Sequence, residues 1–297
     1  MPFYKILILA IVQGLAELLP ISSSAHVVVA ARAMNMAPMG SPEMSLLLVM
    51  LHTGTMFSVI VYFWKQWMRA YFSSGDAFKR FVVRAVWATV LTGVIGWPLQ
   101  KVIVRVLFHG APSAEIEDLF DRLDLIALAM FMAGLLILWA GINERKPEAE
   151  MTIDYERSAA RSGGNVTFGQ AGLMGAIQGI CLPFRGFSRS GSTISVGLLA
   201  GSTREKAEGF SFAMAVIITP LVIARESLRV LHAAHAGLLN LHDSVTSAGM
   251  GMVFSFIAGL AALKWLSSWL ESGKWYLFGV YCLCASVAIW YLHQTGF

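Results

Sequence analysis

The chain has 297 residues, 57% of them hydrophobic and 13% charged, with a formal net charge of +4. So few charges among long apolar runs exclude a soluble globular domain, and a basic excess gathered in particular loops reports membrane topology rather than a nucleic-acid partner. Cys181, Cys282 and Cys284 lie in apolar sequence without paired spacing, which excludes a disulfide framework and a zinc cluster.

From the N-terminus, Lys5 precedes an apolar run that has the outline of a secretory signal, but Glu17 and Pro20 stand where small cleavage-site residues belong. The stretch Gln13 to His26, QGLAELLPISSSAH, places a carboxylate, a proline, three hydroxyls and an imidazole within apolar sequence. Ionised groups at bilayer depth cost about 2.5 kcal/mol or more, so they face the protein interior or a water-filled cavity.

Spans of about 20 apolar residues cross a bilayer core. They are expected over Ser45 to Trp64, Phe81 to Val104, Leu123 to Ile142, Phe210 to Val230, Gly249 to Trp269 and Trp275 to Tyr291. The connection Lys65 to Arg84 carries Lys65, Arg69, Lys79, Arg80 and Arg84 against Asp76, and reads as cytoplasmic. Arg105 to Arg122 carries Glu115, Glu117, Asp118 and Asp121 and reads as external. Residues 143–165 form the linker, returned to the cytoplasm. The short Arg204 to Lys206 turn and Lys274 read as cytoplasmic, and His232 to Ser247 as external.

A second polar stretch, Gln178 to Thr193, QGICLPFRGFSRSGST, repeats the grammar of the first with an arginine in place of the acid. Pro20 and Pro183 each break an apolar helix, so both stretches are expected to be re-entrant helix-loop-helix units. One unit plus three spans, then the linker, then one unit plus three spans gives halves of opposite orientation, because three is odd. The expectation is an all-α polytopic membrane protein, one integral domain over 1–297. It holds six transmembrane helices and two re-entrant units in an inverted-topology repeat of halves 1–142 and 166–297.

Gln13 and Glu17, four residues apart, share a helix face. Ser22, Ser23 and Ser24 stand at the expected start of the returning helix, with His26 in its first turn. In the second unit Ser188, Ser190, Ser192 and Thr193 offer hydroxyls, Gly191 permits close backbone approach, and Arg189 adds a fork for phosphate oxygens. Two helix N-termini with an arginine suit an anion. Each feature alone has a plain structural reading: serines cap helices, His26 packs inside, Arg189 pairs with Glu17. Their joint occurrence at the breaks of one repeat favours a site. His52 in LHTGT reads mainly as packing, with a supporting role open; His109, His232, His235, His242 and His293 read as solvated or interfacial.

QGLAELLPISSSAH and SRSGST resemble the two signatures of the undecaprenyl pyrophosphate phosphatase family, also called the bacitracin resistance protein family. LHTGT and REKAEGFSFAMAVIITP extend the similarity over nearly the whole chain. The resemblance implies hydrolysis of undecaprenyl pyrophosphate to undecaprenyl phosphate and phosphate, at the external face of the bacterial inner membrane. That reaction recycles the lipid carrier of envelope polymers. Carried over by motif, Glu17, Ser23, His26 and Arg189 are the expected catalytic residues, with Gln13, Ser22, Ser24, Ser188, Ser190, Gly191 and Thr193 around the phosphates. The resemblance also implies a divalent cation, Mg2+ or Ca2+, at Glu17. The expected partners are the lipid substrate and the bilayer, with a homodimer open and no nucleic acid. Gln13 departs from a family position that often holds glutamate, and LPFRGFSRSG adds Arg185 to the usual approach. Whether Ser23 or water attacks phosphorus stays open, and the rival class is a transporter or flippase for an anionic lipid.

Overall fold

In the computed structural model, residues 1–107, 122–143, 165–235, 241–271 and 274–297 are described. Among them every regular element is helical: α1 (Phe3–Leu18), α2 (Ser23–Ala33), α3 (Pro42–Ala70), α4 (Gly75–Leu107), α5 (Leu123–Asn143), α6 (Phe168–Cys181), α7 (Arg189–Leu199), α8 (Arg204–His235), α9 (Leu241–Glu271) and α10 (Trp275–Gln294). The acidic connection with Glu115, Glu117, Asp118 and Asp121, most of the linker, and His109 lie outside the described residues, as does the side chain of His242.

Six helices are long and apolar enough to cross a membrane, and they are the six expected from hydropathy: α3, α4, α5, α8, α9 and α10. Large apolar side chains face outward on them, among them Leu221 at 74% and Ile142 at 67% exposure. Such exposure suits lipid, not water. The protein is therefore a multi-pass membrane protein.

The helices outrun their apolar cores. The basic connection expected from Lys65 to Arg84 contracts to a turn at Tyr71–Ser74, where Ser74 Oγ accepts from Ala77 N at 3.1 Å. Arg204 to Lys206 is the first turn of α8, not a separate connection. The physical reason is that backbone hydrogen bonding does not stop at the hydrocarbon boundary, while long basic side chains reach out to water. Local caps define other starts. Ser41 Oγ accepts from Met44 N at 3.3 Å with Pro42 opening α3, and Thr167 and Gln170 form a reciprocal capping box at α6.

The remaining four helices are short. α1, with 16 residues, reaches only about 24 Å. α2 and α7 have 11 residues each and α6 has 14. α1 packs on α2 across a four-residue break at Leu19–Ser22, and α6 on α7 across Leu182–Ser188. At the first break Leu19 is extended before Pro20, as a residue preceding proline prefers; at the second, Leu182 stays helical before Pro183.

Packing is reciprocal between the halves. α1 lies on α9 as α6 lies on α4, and α3 pairs with its counterpart α8 as α5 pairs with α10. Both counterpart pairs run antiparallel. Trp67 Nε1 near the end of α3 donates to the Gly209 carbonyl near the start of α8 at 3.1 Å, and Phe63 stacks near Phe212. Gly141 at the end of α5 lies against the backbone of Tyr276 at the start of α10, where a Cβ would have no room. Counterparts that oppose each other in direction are what halves of opposite orientation require.

Candidate active site

The two breaks meet. Ser24 Oγ accepts from Gly186 N at 3.0 Å, Ser190 Oγ donates to the Leu19 carbonyl at 3.5 Å, and Gly191 lies against Pro20. This contact carries the first residues of α2 and α7, Ser23 and Arg189, to one acceptor. Glu17, on the last turn of α1, is that acceptor.

Each Glu17 oxygen has a separate task. Oε2 accepts from Ser23 Oγ at 2.5 Å and, one helical turn away, from Gln13 Nε2 at 3.4 Å. Oε1 accepts from Arg189 Nη2 at 3.1 Å. The Glu17 and Arg189 side chains are both 18% exposed, so the pair sits where screening by water is weak. Arg189 Nη1 is buried and has no hydrogen-bond partner. It is a donor left over for a ligand.

His52 on α3 completes the ring around the carboxylate. Its Nδ1 lies 2.8 Å from the Leu48 carbonyl, so Nδ1 carries the proton and donates, and Nε2 faces Glu17 Oε2 at 3.8 Å. His26 is oriented in the same way. Nδ1 donates to the Ser22 carbonyl at 2.7 Å, and Nε2 accepts from the Tyr281 hydroxyl of α10 at 2.6 Å, the rings stacked at 5.7 Å. Ser22 adopts φ 68°, rare for a residue with a Cβ, and its side chain does not cap α2. Left-handed backbone of this kind persists where surroundings enforce it, and it concentrates at functional sites.

The remaining expected phosphate residues divide. Gln13, Ser22 and Ser24 lie within the cluster around Glu17, Ser23 and His26. Ser188 caps α7 by accepting from Gly191 N at 3.2 Å. Thr193 is turned into packing, donating to the Arg189 carbonyl at 2.8 Å and meeting Ser211 Oγ at 2.5 Å. Ser190 and Gly191 hold the two breaks together.

The family model described as "Bacitracin resistance protein BacA" matches residues 6–288. The chain belongs to the BacA family. Its relatives include "Undecaprenyl-diphosphatase 2" of Acinetobacter baylyi, 49% identical over 96% of each chain. "Undecaprenyl-diphosphatase 2" of Burkholderia orbicola is 31% identical over 97% of this chain and 95% of its own. "Undecaprenyl-diphosphatase" of Desulfatibacillum aliphaticivorans is 31% identical over 95% of each.

Two side chains of this BacA-family cluster escape a reading by motif. His52 carries a weak signal, a histidine with two threonines inside a span. Tyr281 carries none, since it sits in an apolar run 255 residues from its partner.

Proposed function

We propose that the chain hydrolyses undecaprenyl diphosphate to undecaprenyl phosphate and inorganic phosphate at the Glu17, Ser23 and Arg189 cluster. The observation that carries this is the 2.5 Å hydrogen bond from Ser23 Oγ to a carboxylate whose other oxygen is held by Arg189. A hydroxyl with its base in contact, beside a guanidinium with one buried free edge, is the layout of nucleophilic phosphoryl transfer. A carrier for an anionic lipid needs the guanidinium and the helix ends but has no use for the hydroxyl–carboxylate pair.

Arg189 Nη1 and the N-terminus of α7 take the terminal phosphate. Ser23 Oγ attacks its phosphorus and gives its proton to Glu17 Oε2; the bond from that phosphorus to the bridging oxygen breaks, and Glu17 passes the proton to the departing undecaprenyl phosphate. Glu17 then takes a proton from water attacking the phosphoserine and returns it to Ser23 Oγ as phosphate leaves. Both Nη1 and the carboxylate are fixed before substrate arrives, so little reorganisation remains to be done at the transition state. His26 is held by Ser22 and Tyr281, with Nε2 occupied by the Tyr281 hydroxyl, and it serves as a second proton acceptor only when that hydroxyl turns away.

Among the described residues no group of three His, Cys, Asp or Glu side chains gathers, so the donor set is one carboxylate with neighbouring amide and imidazole. That set fits Mg2+, which is commonly bound by one or two carboxylates together with substrate phosphates and water. Glu17 would hold it, and the ion would neutralise charge on the diphosphate.

In this proposal α1–α2 and α6–α7 are re-entrant and open the site to the external face of the bacterial inner membrane. Their lengths support re-entry. The orientation is supported by Arg69, Lys79, Arg80 and Arg84 around the α3–α4 turn, with Arg204 and Lys206 beginning α8 at the same end.

The test is phosphate release from undecaprenyl diphosphate in detergent, with acid-quenched protein searched for phosphoserine. Wild type is expected to release phosphate and carry label on Ser23, and Ser23→Ala to lose about 100-fold or more in kcat. Full activity in Ser23→Ala would replace the covalent route with direct attack by water. No release by wild type across metals and pH would end the phosphatase reading.

A further inference from the structure

The LHTGT stretch of α3 is seated on α9. Gly54 lies against the Met252 carbonyl, where a Cβ would have no room, and Ser255 Oγ donates to the Leu51 carbonyl at 2.9 Å. Thr53 and Thr55 turn back on α3, donating to the Val49 and His52 carbonyls at 2.8 and 2.9 Å. His52 is the side chain of that stretch that reaches Glu17. The two imidazoles of the cluster are oriented alike and used differently. In each, Nδ1 donates to the carbonyl four residues earlier, so the lone pair sits on Nε2. At His26 that lone pair is taken by the Tyr281 hydroxyl; at His52 it faces Glu17 Oε2 across 3.8 Å.

We propose that His52 Nε2 and Glu17 Oε2 together bind one divalent first-row transition cation, Mn2+ in preference to Ca2+. The proposal rests on the reading of Glu17 as the carboxylate that holds the cation, and adds a nitrogen ligand that decides which cation. Two acceptors facing each other repel unless a positive charge lies between them. A proton on Nε2 does not join them, because 3.8 Å is beyond hydrogen-bond reach. A divalent cation does: bound about 2.1 Å from each atom, it bridges a gap of up to about 4.2 Å. An imidazole whose other nitrogen donates to a backbone carbonyl is the usual form of a metal-ligating histidine. The His52 side chain is 43% exposed, so an ion has a way in and keeps positions for water and phosphate. Arg189 holds Glu17 Oε1, so guanidinium and ion do not compete for one atom. Ca2+ takes oxygen ligands, whereas an imidazole nitrogen favours transition ions.

The probe is Mn2+ added to the untagged full chain in detergent and read by pulsed EPR. Wild type is expected to show the hyperfine coupling of a directly bound nitrogen, and protein grown with 15N-histidine to show the 15N pattern instead, a measurement that needs no variant. His52→Gln should abolish the coupling and His26→Gln should keep it. His52→Gln should also weaken Mn2+ binding about ten-fold or more, and Ca2+ binding by less than about two-fold. No nitrogen coupling in wild type, coupling that survives His52→Gln, loss of coupling in both variants, or equal weakening of Mn2+ and Ca2+ would overturn the assignment. Coupling in wild type without phosphate release from undecaprenyl diphosphate would leave the cation site standing and end the phosphatase reading. Phosphate release without coupling would do the reverse.

Discussion

Both halves of the chain reach Glu17, and its two oxygens keep their tasks apart. Ser23 and Gln13 come to one oxygen from its own half, and Arg189 comes to the other from the opposite half. Arg189→Lys preserves the charge but not the fork: a lysine facing Glu17 has no fixed second donor for phosphate. The expected result is a fall of about 100-fold in kcat/KM, the cost of one preorganised donor, with helix content and thermal midpoint held. Activity within two-fold of wild type would deny Nη1 its role. Gln13, buried at 1% exposure, donates to Glu17 and so neutralises nothing. Gln13→Glu would set a second carboxylate against the first, and two carboxylates bind a divalent cation more strongly than one. A Mg2+ titration of activity should then reach half-saturation at lower concentration. An unmoved midpoint would take the cation away from Glu17. At this scale the sequence was legible where chemistry was dense. Glu17, Ser23 and Arg189 announced themselves as polar groups at helix breaks. His52 did so weakly and Tyr281 not at all, because an imidazole or phenol in a span joins such a cluster only through a neighbour on another helix.

The breaks show how similar local grammar gives two different elements. Ser188 caps α7 with its own side chain, whereas Ser22, at the matching position of α2, turns left-handed and leaves its hydroxyl 3.4 Å from that of Ser24. A run of three serines announces a helix start, but nothing in it says which one adopts φ 68°. The expected cap residues Ser23 and Ser24 lie inside α2, freeing Ser23 Oγ for Glu17 and Ser24 Oγ for Gly186. Hydropathy similarly located all six spans and missed their ends, since apolarity reports lipid depth while the helix continues beyond it. Pro98 and Pro220 lie inside α4 and α8, so proline marked a break only where serines and glycines followed it. Gly186 joins these elements at a single backbone position. At Gly186→Ala a Cβ meets the Ile126 carbonyl in a left-handed conformation, which costs about 1–2 kcal/mol before any clash. The expected outcome is a lower thermal midpoint together with weaker activity, as the loop lifts from α5 and Ser24 loses its donor. A variant with wild-type midpoint and kcat would show that the loop is not held there.

Taken whole, the molecule assembles its site by exchange: each short helix pair lies largely on spans of the other half, and α3 with α8 and α5 with α10 run antiparallel to their own counterparts. The count of elements foretold opposite halves, and the plain reading of Arg189 as a partner of Glu17 named the contact between them; the hydrogen bonds that join the two breaks around it were not legible, because they depend on where the breaks meet in depth. The orientation has a direct consequence. From the α3–α4 turn to the end of α8 the chain crosses the membrane by α4, α5 and α8, with α6–α7 contributing no net crossing if it returns to the side it entered. Three crossings put Ser73 and His235, an exposed residue at each of these ends, on opposite faces. A single net crossing by α6–α7 would put them on the same face. Ser73→Cys and His235→Cys, each in a background with Cys284→Ser because Cys284 is the exposed native thiol, report this through a membrane-impermeant maleimide. His235→Cys is expected to react in intact cells and Ser73→Cys only after permeabilisation, in keeping with the basic residues flanking the latter. Equal reactivity in intact cells would mean that α6–α7 spans the bilayer. Arg189 would then stand in a crossing segment rather than at the tip of a returning one, and the two halves would no longer be inverted copies.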